Sequence, residues 1–345
     1  MDKGLVTAKT LVSPIVKLLD MVGNAIGTAY EPRHKRKMAD ASAYEISVVS
    51  EAIRNAADIP IDYNKNDVAM NSEDFNRLLQ RTKKRFLFQE ITKQSNIENI
   101  VDNAYEILES EENCTEEPIE QGWMNRFFDS VADVSDEDLQ KLWGKILAGE
   151  TVNPKACSLR TLDTLKNLSK YEANLFLNLT PLIIRMGETF CLASNQGLLE
   201  KYGVTFGEIM MLDECGLINS NGLVSLNCSL SNSCCRSFFN KSKIAIIQGL
   251  KYSQEQLVFG VYSLTKAGIE LYNILDCTSS DDFFRDFVEK VWEKNSSTIK
   301  ISVHEVKTVM HDKVEYQNNV LYELPSDKEA VNNSRIIGGK TNDQL

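Results

Sequence analysis

Between Trp123 and Phe176 the chain reads WMNRFFDSVADVSDEDLQKLWGKILAGETVNPKACSLRTLDTLKNLSKYEANLF. No other stretch restricts the fold as much, because helix starts, apolar stripes and helix stops follow one another without a gap. Trp123, Phe127, Phe128 and Val131 fall on one side of a first helix. Ser135 is placed to cap a second, with Asp136, Glu137 and Asp138 in its first turn, where negative charge opposes the helix dipole. Leu139, Leu142, Trp143, Ile146 and Leu147 then recur at helical spacing, and Gly149 and Pro154 read as the stop. Ser158 can cap a third helix carrying Leu162 and Leu165, and Ser169 with Glu172 forms a capping box for the next. Each signal is worth about 1 kcal/mol, and their agreement carries the prediction. The aromatic residues have core spacing. Arg126 and Arg160 are the polar residues this scaffold leaves unexplained, and each is expected to pair with an acid such as Asp133 or Glu150.

The segment upstream is also helical in pattern. Leu11, Ile15, Leu18, Leu19, Val22 and Ile26 recur at helical spacing, Ser13-Pro14 marks a start, and Glu31-Pro32 marks a stop. The basic run Arg33, Lys35, Arg36, Lys37 follows. This combination predicts either a bundle helix with a solvated basic end or a surface helix facing a partner or an anionic membrane. A long, charge-dense helix is expected over 72–109, with Phe75, Leu78, Leu79, Phe86, Ile91, Ile97, Ile100 and Val101 as its packed side. An acidic linker from Glu109 to Glu120 closes this half.

The texture changes near Leu198. Thr205 and Glu208 form another capping box, Cys215-Gly216 ends that helix, and Asn221-Gly222 reads as a hairpin turn. Residues 243–248 and 257–264 are strand candidates, and Thr265 caps a closing helix. This order is winged-helix-like, with 227–256 as a long insertion in the wing. A short helix at 283–292 and strands at 299–306 and 313–324 follow. The fold expected is therefore mainly α: a helical N-terminal two-thirds and a smaller α+β, winged-helix-like C-terminal part. The divisions drawn are 1–60, 72–195, 198–276, 277–325 and a disordered tail at 326–345.

Chemistry is sparse. The three histidines, His34, His304 and His311, lack metal-ligand spacing and read as surface residues. Cys215, Cys228, Cys234 and Cys235 are spaced thirteen, six and one apart, unlike zinc pairs, so free thiols are expected. No phosphate loop, dinucleotide fingerprint or nucleophile elbow appears. A net charge of −11, and a recognition-helix position reading GEIMMLDECGLI without one basic residue, argue against nucleic acid. No run of about 18 apolar residues predicts a membrane span, and no leader pattern precedes the cysteines. Expected from this are no catalytic or metal residues, no cofactor, a cytoplasmic location extending to the membrane's inner face, and a protein partner or self-association.

The residues LLDMVGNAIGTAYEP with the basic run, the central motif from Trp123 through LAGE and SLRTL, then LDECGLI and LTKAGIEL, resemble a bacterial domain-of-unknown-function family. The central motif is similar to that of abortive-infection Abi-alpha proteins. The resemblance covers roughly residues 5 to 275. It implies no catalytic residues and, by association, a role in phage defence.

Overall fold

The computed structural model describes residues 11–26, 72–225, 228–230, 236–249, 255–257, 259–275, 277–309 and 314–325. Two compact units emerge, Met1–Lys166 and Asn167–Leu345.

The first unit is helical. It contains α1 (Pro14–Ile26), α2 (Ser72–Leu108), α3 (Gln121–Val131), α4 (Glu137–Val152) and α5 (Leu159–Lys166). A two-residue ribbon, β1 (Leu11–Val12) on β2 (Cys114–Thr115), pairs antiparallel ahead of α1. Phe127 is fully buried, stacked on Trp123 at 5.1 Å and edge-on to Trp143 at 5.6 Å. Leu18, Val22, Ile100, Val101, Val131, Ile146 and Leu162 complete the core around it. Large buried side chains like these each contribute about 2–3 kcal/mol. Gly144 lets α4 approach α2 closely: a Cβ there would stand 2.6 Å from Asn103 Cβ.

Two local expectations shift. The cap of α4 is Asp136 rather than Ser135, its carboxylate accepting from the Asp138 and Leu139 amides at 3.0 and 3.2 Å. Gly149 does not stop the helix. Its carbonyl accepts from Asn153 N at 2.9 Å, so the helical ladder runs through to Val152.

The second unit overturns the expected mainly-α, winged-helix-like reading. It begins with α6 (Lys170–Leu179), capped by the Ser169–Glu172 box, and a 3₁₀ turn at Thr180–Leu182. The strands β3 (Ile184–Met186), β4 (Thr189–Ala193), β5 (Ile218–Ser225), β7 (Arg236–Phe239), β8 (Lys243–Gly249), β10 (Gly260–Leu264), β11 (Ile299–Val309) and β12 (Val314–Leu324) form one sheet, ordered β12-β11-β8-β7-β3-β4-β10-β5. Every pairing in it is antiparallel. A short pair, β6 (Cys228–Leu230) and β9 (Glu255–Leu257), stands apart from it.

The expected wing, β5 with β10, is thus one edge of a large sheet. Its supposed insertion supplies interior strands, with Phe238, Phe239, Ile244, Ala245 and Ile247 buried. The Asn221-Gly222 turn signal falls inside β5, where the register to β10 slips between Val261 and Ser263, so the extra residues form an irregularity instead of a hairpin. The expected division at 195–198 moves to Lys166/Asn167 because β3 and β4 belong to this sheet. Residues 299–324 are not a separate region, since β11 and β12 extend the same sheet beside β8.

Helices α7 (Gln196–Lys201), α8 (Phe206–Glu214), α9 (Lys266–Ile274) and α10 (Asp281–Asn295) complete the unit. The Thr205–Glu208 box and the Thr265 cap form as the sequence predicts. From α10, Phe287 meets Phe238 and Phe259 edge-on at 5.2 and 5.1 Å. The 326–345 tail lies outside the described residues.

Candidate functional site

The central motif resolves into a clasp. Glu150, 2% exposed, turns its carboxylate onto the loop after α4, where Oε1 accepts from Lys155 N at 2.6 Å and Oε2 from Cys157 N at 3.0 Å. Trp123 Nε1 donates to Cys157 O at 2.7 Å from the other side. Lys155 takes a left-handed φ of 72° to make the loop, and its ammonium pairs with Glu117 at 2.6 Å. LAGE and the residues that follow it therefore hold the loop between α4 and α5, with Trp123 of α3 closing on it. The sequence marks Glu150 only as a partner for arginine; nothing local reveals two amides folding back onto it.

The other motif residues have structural places. Trp123, Phe127 and Trp143 are core, and Leu139 is half-buried. Ser158 O accepts from Leu162 N at the start of α5, with the hydroxyl 3.0 Å from Thr161 Oγ1. Arg126 pairs with Asp163 at 2.9 Å, and neither Asp133 nor Glu150 takes that role. Both partners are half-exposed, so this link is worth at most about 1 kcal/mol. Arg160 is exposed and forms no ion pair among the described residues.

The apolar face of α1 packs inward. Leu18, Met21 and Val22 are buried, Ile15 and Leu19 are partly buried, and Ile26 ends the helix. Leu11 leaves the helical set because it pairs with Thr115 in the ribbon. Arg33, Lys35, Arg36 and Lys37 lie outside the described residues. Among the described residues no helix is long and apolar enough to cross a membrane.

Groups that could do chemistry are dispersed. Among the described residues no His, Cys, Asp and Glu cluster could hold a metal. His304 is not the surface residue expected: it is buried in β11, with Nδ1 3.1 Å from Gln317 O and Nε2 3.0 Å from Ser302 Oγ. Burial, together with the hydrogen bond to Glu172, pushes the Cys215 thiol up to about 12, away from thiolate reactivity. His34, His311, Cys234 and Cys235 lie outside the described residues.

The surface that stands out is the long helix α2. Its C-terminal half is core, but Leu78, Phe86 and Ile91, expected on the packed side, are exposed, as is Phe88. Phe86 and Phe88 are 58% and 73% exposed, unusual for phenylalanine. Around them stand Arg81, Lys84 and Arg85, all exposed. One side of the helix, at three-, four- and seven-residue spacing, carries Arg81, Lys84, Phe88, Ser95, Asn99, Asp102 and Glu106, with Glu109 just past its end; its two ends are exposed, and Ser95, Asn99 and Asp102 between them are partly buried. It is basic at one end and acidic at the other. The density of charge over 77–85 was the sequence signal that this half of the helix has no core of its own.

Residues 80–288 match the family described as protein of unknown function DUF2806. The chain belongs to that family. The match runs from within α2 to within α10, so it takes in the clasp, the whole of that outward face, and six of the eight strands of the second unit's sheet. It starts later and ends later than the span of 5 to 275 expected from the sequence. No curated protein and no solved structure matches the chain.

Proposed function

We propose that this DUF2806 protein works by assembly rather than by catalysis, and that the partner on α2 is a second copy of the chain. The observation that carries this is the outward face of α2, with its basic, phenylalanine-bearing end and its acidic end. The two ends are about 35 Å apart along the helix at 1.5 Å per residue. Two copies laid antiparallel about Ser95 set Arg81 opposite Glu109 and Lys84 opposite Glu106, twice by symmetry. Phe88, on that same face and 73% exposed, supplies apolar area that the basic end otherwise leaves in water. A parallel pair would instead oppose like charges.

Sedimentation velocity tests it. The full chain is expected to dimerise at low ionic strength and to weaken as salt screens the exposed charges. Arg81→Glu with Lys84→Glu should give monomer, as should Glu106→Lys with Glu109→Lys. Mixing the two variants should restore a heterodimer. A wild type that stays monomeric at low salt, or a mixture that does not associate, removes the reading. The likeness to abortive-infection proteins makes phage defence the process we propose for this assembly. A bacterial host expressing the chain should then plaque less efficiently than one expressing either charge-reversed variant. Equal plaquing by all three would reject the process.

A further inference from the structure

Arg185 of β3 is flanked across the sheet by Phe190 of β4 and Phe239 of β7, its register partners on either side. The guanidinium carbon lies 4.5 Å from the Phe190 ring centroid and 4.9 Å from that of Phe239, and both rings are buried. The aromatic neighbours orient the guanidinium. Its hydrogen-bonding edge is under-used. Nε is buried without a partner, and Nη2 reaches Gly187 O only at 3.5 Å. Glu188, exposed on the adjoining turn, acts on it at a distance, and among the described residues no carboxylate forms an ion pair with it.

Two more groups face the same place. The buried ring of Tyr272, from α9, meets Phe190 at 5.5 Å, and Lys241, exposed just after β7, sets its ammonium 5.7 Å from the Tyr272 centroid. We infer that Arg185 anchors an oxyanion site, taking a carboxylate or phosphate on the guanidinium edge, with the Tyr272 hydroxyl as a neutral donor and Lys241 as an outer second cation. A fork of parallel N–H donors matches two oxygens of either group. Electrostatics agree with the geometry. Burial lowers the guanidinium from its ordinary value, as for a charge that has lost water without gaining a counter-charge. Burial, with the Cys277 thiol nearby, pushes the Tyr272 hydroxyl up to about 12, so it stays protonated and able to donate.

This site is independent of assembly through α2. Inorganic phosphate and acetate, titrated separately into the full chain at constant ionic strength, form the two arms of the test. The readouts are calorimetry and the Arg185 side-chain Nε–H resonance. At least one anion should saturate and shift that resonance; the tighter one names the class. Arg185→Lys keeps a charge but loses the fork, and should weaken binding about tenfold or more. Lys241→Gln changes an exposed residue and should leave the fold intact; it should weaken phosphate several-fold and acetate less. No saturable shift with either anion, or wild-type affinity in both variants, overturns the assignment.

Discussion

Glu150 in the first unit is a buried charge and Arg185 in the second a half-buried one, and they are treated oppositely. Glu150 has two backbone amides at 2.6 and 3.0 Å and a loop wrapped around it. Arg185 has aromatic rings against it, one marginal acceptor and an unpartnered Nε. A buried charge whose hydrogen bonds are filled from its own chain is part of the scaffold. One whose donors remain open is available to something else. The contrast matters because satisfaction, rather than residue type, is what separates support from site.

The contrast is easiest to break at Glu150. Glu150→Ala leaves two amides without acceptors and should cost about 3 kcal/mol, read as a lower urea midpoint; Glu150→Gln, which keeps one acceptor, should cost less. If Glu150→Ala unfolds no more easily than wild type, the clasp is not structural. Next comes packing in the same unit. Gly144→Ala places a methyl 2.6 Å from Asn103 Cβ, a contact the α2–α4 approach cannot absorb, and about 1–3 kcal/mol should be lost.

Asp286 offers a satisfied charge in the second unit. Burial alone would raise its carboxyl, but hydrogen bonds from Lys201 and from Tyr202, the latter at 2.7 Å, outweigh that and hold it below its ordinary value of 3.8. A carboxyl depressed in the folded state stabilises above its unfolded pKa, and loses that contribution as pH falls through the lower folded value. Asp286→Asn should therefore cost about 1–2 kcal/mol at neutral pH, and the penalty should shrink below about pH 4 in melts taken across that range. The smallest stability effect is expected at Arg185. Arg185→Leu should move the urea midpoint by no more than about 1 kcal/mol, because the residue holds little of its own chain. A loss as large as that of Glu150→Ala would make Arg185 scaffold after all.

Legibility in the sequence followed locality. The helix α2, the stripes of α3 and α4, and the boxes at Ser169 and Thr205 were visible because the groups that stabilise them lie within a few residues of one another. The strands β11 and β12 were visible through their alternation. β3 and β4 were not: three and five residues long, inside a span read as helical, they are strands only because β7 and β10 lie beside them. The same distance in sequence hid the site. Arg185 meets Phe239 more than fifty residues on, and its other neighbour, Phe190, is unremarkable on its own. Leu78, Phe86 and Ile91 show the reverse error: helical period was right, but period alone does not say whether a face has anything to pack against.

The strand order also sets a schedule for the chain as it is made. The described pairings of the first unit close within Lys166, so its helices can assemble while the remainder is still being synthesised. The sheet cannot. β3 and β4 leave the ribosome early, yet β3 needs β7 at 236–239 and β4 needs β10 at 260–264. For the time taken to translate the 46 residues from the end of β4 to the end of β7, the middle of the sheet exists only as a two-stranded hairpin with open edges, a form with little stability of its own. This interval is when the protein is most exposed to chaperones and to miscarried pairing. A pause in translation placed between residues 194 and 236 would lengthen it, whereas one placed after residue 324, when the last strand is complete, would not.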